Sequence, residues 1–138
     1  TGADFLAVAV GTVHNMVTRT AEIDLPRIAA IRERTRRPLV LHGGSGVPDE
    51  QIRKAIRLGV GKINVNTENQ VACTETVRKI LAEKPSLYDP RKYLGPAREA
   101  MKEVCKERMI AFGQAGHADK VRIISCREMI SFYISQKK

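Results

Sequence analysis

Apolar positions along this chain fall into two alternating kinds of run. Residues 4–10 (DFLAVAV) form a short unbroken one, ended by Gly11 and Thr12, as expected of a strand buried on both faces of a parallel sheet. Asp24 then stands where a helix N-cap belongs, followed by Leu25, Ile28, Ala29 and Ile31 at helical spacing to about Arg36. Pro38 stops that helix, and Leu39-Val40-Leu41 predicts a second short strand running into a glycine turn, Gly43-Gly44-Ser45-Gly46. Asp49 and Glu50 put acid into the first turn of a second helix with Ile52, Ala55 and Ile56 on its apolar face, and Gly59 sits at its C′ position. Residues 62–65 (KINV) predict a third strand, and Thr67-x-x-Gln70 has the form of a capping box opening a third helix to about Leu81.

Strand and helix thus alternate three times at a spacing of about 30 residues, the period of βαβ units, which predicts a parallel sheet with crossover helices. An open doubly wound sheet and a (β/α)8 barrel both satisfy the pattern. Three such units over about 80 residues project to the roughly 250 of a whole barrel, which makes this its later part. Beyond Pro85 the pattern changes. Residues 86–96 read as a connection and residues 97–112 as a long helix whose candidate buried face is Ala97, Met101, Val104, Cys105 and Met109. In the tail, residues 121–124 suggest a strand and residues 129–134 a helix.

The chain has 138 residues, 43% hydrophobic and 28% charged, ordinary for one globular domain. No apolar run approaches the ~20 residues of a membrane span. The sequence opens at Thr1 with no signal-like segment, so its start is expected to be internal to a longer protein. Cys73, Cys105 and Cys126 have no CxxC spacing; Cys73 falls in an apolar helical pattern and is expected to be a buried thiol, and a reduced, cytoplasmic setting fits. The net charge of +9 concentrates in residues 27–37 and in the tail after His117. Such a surface suits nucleic acid or a phosphorylated substrate. With aromatic residues at 4% and no aromatic-interleaved basic patch, no nucleic-acid partner is expected, and the 27–37 cluster reads as the solvated side of a helix.

Chemistry concentrates after the strands. His14 follows the first, His42 closes the second and Asn64 closes the third, and in parallel α/β folds the C-terminal strand ends converge on the ligand site. Two histidines there can share a metal ion, since neutral imidazole is a common zinc ligand, or can each be hydrogen-bonded without one; the residues alone leave both open. Gly43-Gly44-Ser45 offers backbone N–H groups and a hydroxyl beside a helix start, the make-up of an anion cradle, though a tight turn explains the glycines equally. Asn64-Val65-Asn66-Thr67 precedes a helix in the same way, and Thr67 fits an N-cap. In barrels the loops after the last two strands often hold phosphate. His117 has no partner nearby and is expected to be exposed.

These stretches also match a family. LAVAVGTVH (6–14), PLVLHGGSGVPD (38–49) and GVGKINVNTE (59–68), with YDPRKY (88–93) later, resemble class II fructose-bisphosphate and tagatose-bisphosphate aldolases, over roughly residues 1–116. The resemblance implies a partial (β/α)8 barrel, strands six to eight with their helices and the C-terminal helices, and leaves 117–138 as a divergent tail. It implies that His14 and His42 are two of three histidines on Zn2+. Asn15, Gly43, Gly44, Ser45, Asn64, Val65, Asn66 and Thr67 would then bind the dihydroxyacetone phosphate moiety. The implied reaction is reversible aldol cleavage of a ketose 1,6-bisphosphate to dihydroxyacetone phosphate and an aldehyde phosphate, in carbohydrate metabolism.

The sequence departs from that family in three ways. Its third histidine and neighbouring catalytic aspartate belong to the first half of the barrel, so no catalytic base is expected in this chain. Asn15 stands where the family usually has Gly, a position Asn tolerates in left-handed backbone. The tail after His117 follows no family pattern. A preceding barrel half, on another chain or in a longer protein, or self-association is the expected partner, and an inactive remnant that binds phosphorylated ligands or a partner chain is the alternative.

Overall fold

The computed structural model describes residues 2–135; Thr1 and, with Gln136, the Lys137 and Lys138 of the basic tail lie outside them. The chain runs β1 (Leu6–Ala7), α1 (Leu25–Thr35), β2 (Leu39–Leu41), α2 (Asp49–Arg57), β3 (Val60–Ile63), α3 (Thr67–Glu83), α4 (Arg91–Ala111) and α5 (Cys126–Ser135). The three strands form one parallel sheet in the order β1-β2-β3. Helices α1 and α2 are its crossovers, as the βα alternation predicts.

The core lies between this sheet and its two crossover helices. Leu39 and Leu41 of β2, Ile28 of α1, Ile52 and Ala55 of α2 and Val60 of β3 meet there with Val10, Ala21, Ile23 and Val47 from the loops. Successive side chains of a strand alternate between faces. Val40 accordingly stands outside this cluster, yet it too is buried. Local signals read from the sequence hold in this region. Asp24 Oδ1 accepts from the Arg27 amide at 2.9 Å, Arg36 closes α1 in a left-handed conformation (φ 53°), and Gly59 follows α2 at φ 107°. Arg27, Arg34, Arg36 and Arg37 are exposed, as expected of a solvated helix side.

Three expectations need correction here. The run 4–10 gives only a two-residue strand, and that strand is not buried: Phe5 is 52% exposed and Leu6 38%, while Val10 enters the core and Val8 packs half-buried against it. Among the described residues β1 pairs with β2 and nothing else, so one edge and the adjoining side chains have no neighbour. The third strand is Val60–Ile63, not 62–65. Leu39 pairs with Val60 but Val40 with Lys62, so Gly61 is an extra residue in a bulge, and the ladder closes at Leu41 and Ile63, where β2 ends. Thr67 is the first residue of α3 rather than its cap; Asn66 holds the N-cap position without a side-chain bond, so no capping box forms.

The C-terminal region differs more. Helix α4 begins at Arg91 and carries Pro96 inside it. Pro96 is the sixth residue of the helix, past the four amides that have no partner in any case, so it leaves the Lys92 carbonyl without its intrahelical donor. The buried stripe of α4 is Ala97, Arg108 and Ala111 with Met101 and Val104 half-buried, whereas Cys105 and Met109 are exposed. Cys73 is half-buried rather than buried. Helices α3 and α4 pack chiefly on each other, and α3 has no fully buried residue. Residues 121–124 form no strand, and Ile123 is 92% exposed. Helix α5 forms with Ser125 and Glu128 as a reciprocal capping box, the Ser125 amide donating to Glu128 Oε2 at 2.8 Å and the Glu128 amide to Ser125 Oγ at 3.2 Å. His117 is exposed, as expected. Among the described residues no helix is long and apolar enough to cross a membrane.

Candidate active site

The parallel sheet brings the ends of its strands together, and the residues that follow them meet. His14 and His42 are both exposed, with ring centres 5.6 Å apart and planes at 68°. Two imidazoles on one tetrahedral zinc, each nitrogen about 2 Å from the metal, bring ring centres to roughly 5 Å. Asn64 stands against the second ring, its Nδ2 3.0 Å from His42 Nδ1 and 3.3 Å from Nε2. Lys62 Nζ donates to Asn64 Oδ1, which turns the amide nitrogen toward the imidazole. Among the described residues no group of three or more His, Cys, Asp or Glu side chains converges. The pair offers two donors, fewer than the three or four side chains of a protein zinc site.

The two loops flanking this pair are strapped to each other. The Gly44 amide donates to the Asn64 carbonyl at 3.0 Å, and the Asn64 amide continues the ladder to the Leu41 carbonyl at 2.9 Å. Gly43 takes φ 66°, and a Cβ there would lie 2.6 Å from the Val13 carbonyl oxygen in the loop that carries His14. At Gly44 a Cβ would meet Ile63 Cγ2 at 2.6 Å and the Asn64 carbonyl oxygen at 2.9 Å. Both glycines are thus required by close approach of three loops, in addition to turn geometry. Gly44–Gly46 forms one 3-10 turn, with Ser45 buried inside it. Asn15 adopts φ 64°, the left-handed backbone that a glycine would hold without strain.

Of the second loop, Asn64 and Val65 contact the Gly44 turn, while Asn66 and Thr67 start α3. The orphan amide of Glu68 points at Ser45 Oγ, 3.4 Å away. Ser45 therefore sits at the N-terminus of α3 as well as just before that of α2, two positive dipole ends beside one hydroxyl. Thr67 also lines an open cavity with Val17, Gln70, Thr74 and Arg78, which holds neither histidine.

Sequence reasoning missed a cluster of four charges behind this turn. Arg108 of α4, only 7% exposed, places Nη1 2.7 Å from Asp49 Oδ1 and Nε 3.3 Å from Glu68 Oε2. Arg19 bonds the same two carboxylates, Nε to Glu68 Oε1 at 2.8 Å and Nη1 to Asp49 Oδ1 at 3.3 Å. Arg108 Nε and Glu68 Oε2 are buried and attract as charges without hydrogen-bond alignment. The signal was present: Ala97, Met101, Val104, Arg108 and Ala111 repeat at intervals of four and three, so an arginine occupies the apolar stripe of its helix.

Comparison with known proteins shows the family. The model of the class II fructose-bisphosphate aldolase family matches residues 1–117. A fructose-bisphosphate aldolase of Geobacillus stearothermophilus is 50% identical over 118 residues, 86% of this chain and 41% of the relative. A probable fructose-bisphosphate aldolase of Bacillus subtilis matches to the same extent. Among solved structures, the YdjI aldolase of Escherichia coli K12 superposes with a TM-score of 0.69 at 33% identity, over 86% of this chain and 42% of that one. A putative fructose-1,6-biphosphate aldolase of Coccidioides immitis gives 0.70 at 30%, over 87% and 42%. The chain spans about two-fifths of the length of the relatives it matches. With the paired histidines and the glycine-serine turn inside the matched stretch, this chain belongs to the class II fructose-bisphosphate aldolase family.

Proposed function

We propose that residues 1–116 are the sixth to eighth βα units of a (β/α)8 barrel, with residues 117–138 an appended tail, and that they supply part of a zinc-dependent aldolase site. The reaction is reversible cleavage of a ketose 1,6-bisphosphate to dihydroxyacetone phosphate and an aldehyde phosphate. The observation that carries this reading is the meeting of His14 and His42, 5.6 Å apart, with the Gly43–Ser45 turn and Asn64 at one end of a parallel sheet. His14 and His42 would hold zinc as two of its ligands. When bound, the ion supplies Lewis-acid polarisation of a carbonyl oxygen.

The chain's own residues do the rest of the work assigned to them. With the Gly44 amide taken by the Asn64 carbonyl and the Glu68 amide by Ser45 Oγ, the Gly43 and Ser45 amides, the Ser45 hydroxyl and the other amides opening α3 receive the phosphate of dihydroxyacetone phosphate and fix the carbon beside it. Asn15 and the Asn64–Thr67 loop complete that cradle. Asn64 holds the His42 ring through its amide, with Lys62 fixing the amide's sense. The proton to be removed requires a carboxylate that residues here do not provide, because Asp24 caps α1 and Asp49 is paired with two arginines.

The test is complementation. The 138-residue chain alone is expected to give no aldolase turnover with added zinc. Mixing it with the part of the Geobacillus relative that it does not match restores turnover, which a chelator removes and His42→Ala abolishes. Restored turnover that is indifferent to His42→Ala sinks the metal assignment. Failure to restore it, with dihydroxyacetone phosphate still bound, favours the non-catalytic phosphate-binding remnant.

A further inference from the structure

Two carboxylates stand where an anion site tolerates them least. Asp49 opens α2 and Glu68 lies in the first turn of α3, and these are the two helix starts that flank Ser45. Helix N-termini attract anions through unpaired amides and their dipole ends, but an unpaired carboxylate in the first turn repels the same anion. Here both carboxylates are paired, each with two arginines, and the four groups sum to zero charge. The two arginines differ in setting. Arg19 lies in the loop after β1 with its side chain 39% exposed, so solvent screens it. Arg108 is 9% exposed at the side chain, reaches in from α4 and is backed by the Phe112 ring, 6.0 Å from its guanidinium carbon.

We infer that Arg108 is a positioning residue for the anion turn: it neutralises Asp49 and Glu68, and it holds Glu68 so that the amide of that residue stays on the Ser45 hydroxyl. The inference rests on the phosphate role proposed above for the Ser45 turn. It adds a residue that touches no substrate and comes from a helix outside the βα units. Through it, α4 is coupled to phosphate affinity. Such a charge pair acts at short range in a partly buried setting, where an unscreened carboxylate a few ångströms from a phosphate is strongly repulsive.

The experiment is calorimetric titration of the full 138-residue chain with dihydroxyacetone phosphate, with circular dichroism to follow folding. Arg108→Met, which keeps an unbranched apolar stem, is expected to weaken binding about tenfold, since one carboxylate is left uncompensated. Arg108→Lys keeps the charge and stays within about threefold of wild type. The deciding variant is Glu68→Gln, which removes a carboxylate. Placed on Arg108→Met it restores binding, and alone it tightens binding severalfold, opposite in sign to the effect of losing a merely structural contact. A folded Arg108→Met with unchanged affinity overturns the role, and so does a double variant as weak as Arg108→Met alone. Should Arg108→Met fail to fold, Glu68→Gln binding no tighter than wild type overturns it. Absence of binding by the wild-type chain is a different result: it removes the phosphate reading of the Ser45 turn, and this role with it.

Discussion

β1 and β2 are neighbours in one sheet and nearly alike in composition, yet all three residues of β2 are buried and both residues of β1 are exposed. β2 has a strand on each side and lies in the core with Ile28 of α1 and Ile52 of α2. β1 has one strand beside it among the described residues. Burial in a parallel sheet is thus a property of neighbours as much as of the strand, and an apolar run announces that something must cover it without saying where that cover lies in the chain.

The largest effect that tests this contrast is on stability. Leu41→Ala removes a side chain that is wholly inside the core and is expected to cost about 2–5 kcal/mol, while Leu6→Ala costs less than about 1 kcal/mol. Urea unfolding of both variants measures the gap, and equal penalties break the comparison. Next comes Gly44→Ala, which drives a methyl against Ile63 and the Asn64 carbonyl and is expected to cost about 1–3 kcal/mol. Gly61→Ala, whose Cβ meets Pro38 at 3.3 Å, is the control and costs less.

A third measurement sharpens the contrast instead of breaking it. If the uncovered edge is what leaves β1 exposed, adding the part of the Geobacillus relative that this chain does not match should cover it. The penalty for Leu6→Ala then rises by about 1–2 kcal/mol, and amide exchange slows across β1. An unchanged penalty in an active mixture shows that Leu6 is exposed in the assembled protein as well. The smallest effect concerns acid. Hydrogen bonds from the Arg91 side chain and amide hold the Asp89 carboxyl below its ordinary range. A depressed folded value means that the contribution to the start of α4 is present above the ordinary aspartate range, near pH 4, and is lost as pH falls through the lowered value. Titration followed by NMR should show Asp89 protonating later than a free aspartate, and Arg91→Ala should move its midpoint up.

Legibility in the sequence followed the range of the forces involved. Asp24, Pro38 and Gly59 act on the backbone within a turn of themselves, so the ends of α1 and α2 could be read directly. His14, His42 and Asn64 were readable because a parallel sheet puts successive strand ends on one side, whatever fills the core. The bulge at Gly61 was not, since register is decided between strands; it inserts one residue into β3, which starts two residues before the expected Lys62. Arg108 was passed over because a charged residue in an apolar stripe makes sense only once its two carboxylates, 59 and 40 positions away in the chain, are seen beside it. The cap of α3 failed for a related reason: the hydroxyl nearest the Glu68 amide comes from Ser45, on another loop.

The uncovered edge of β1 has a consequence for how this protein must be measured. Among the described residues β1 leaves strand donors unpaired and Phe5 and Leu6 exposed, and any partner that binds there only in the folded state would stabilise that state by mass action. If that partner is a second copy of the chain, the melting temperature becomes a point on a binding isotherm and rises with protein concentration, whereas a lone chain melts at one temperature at every dilution.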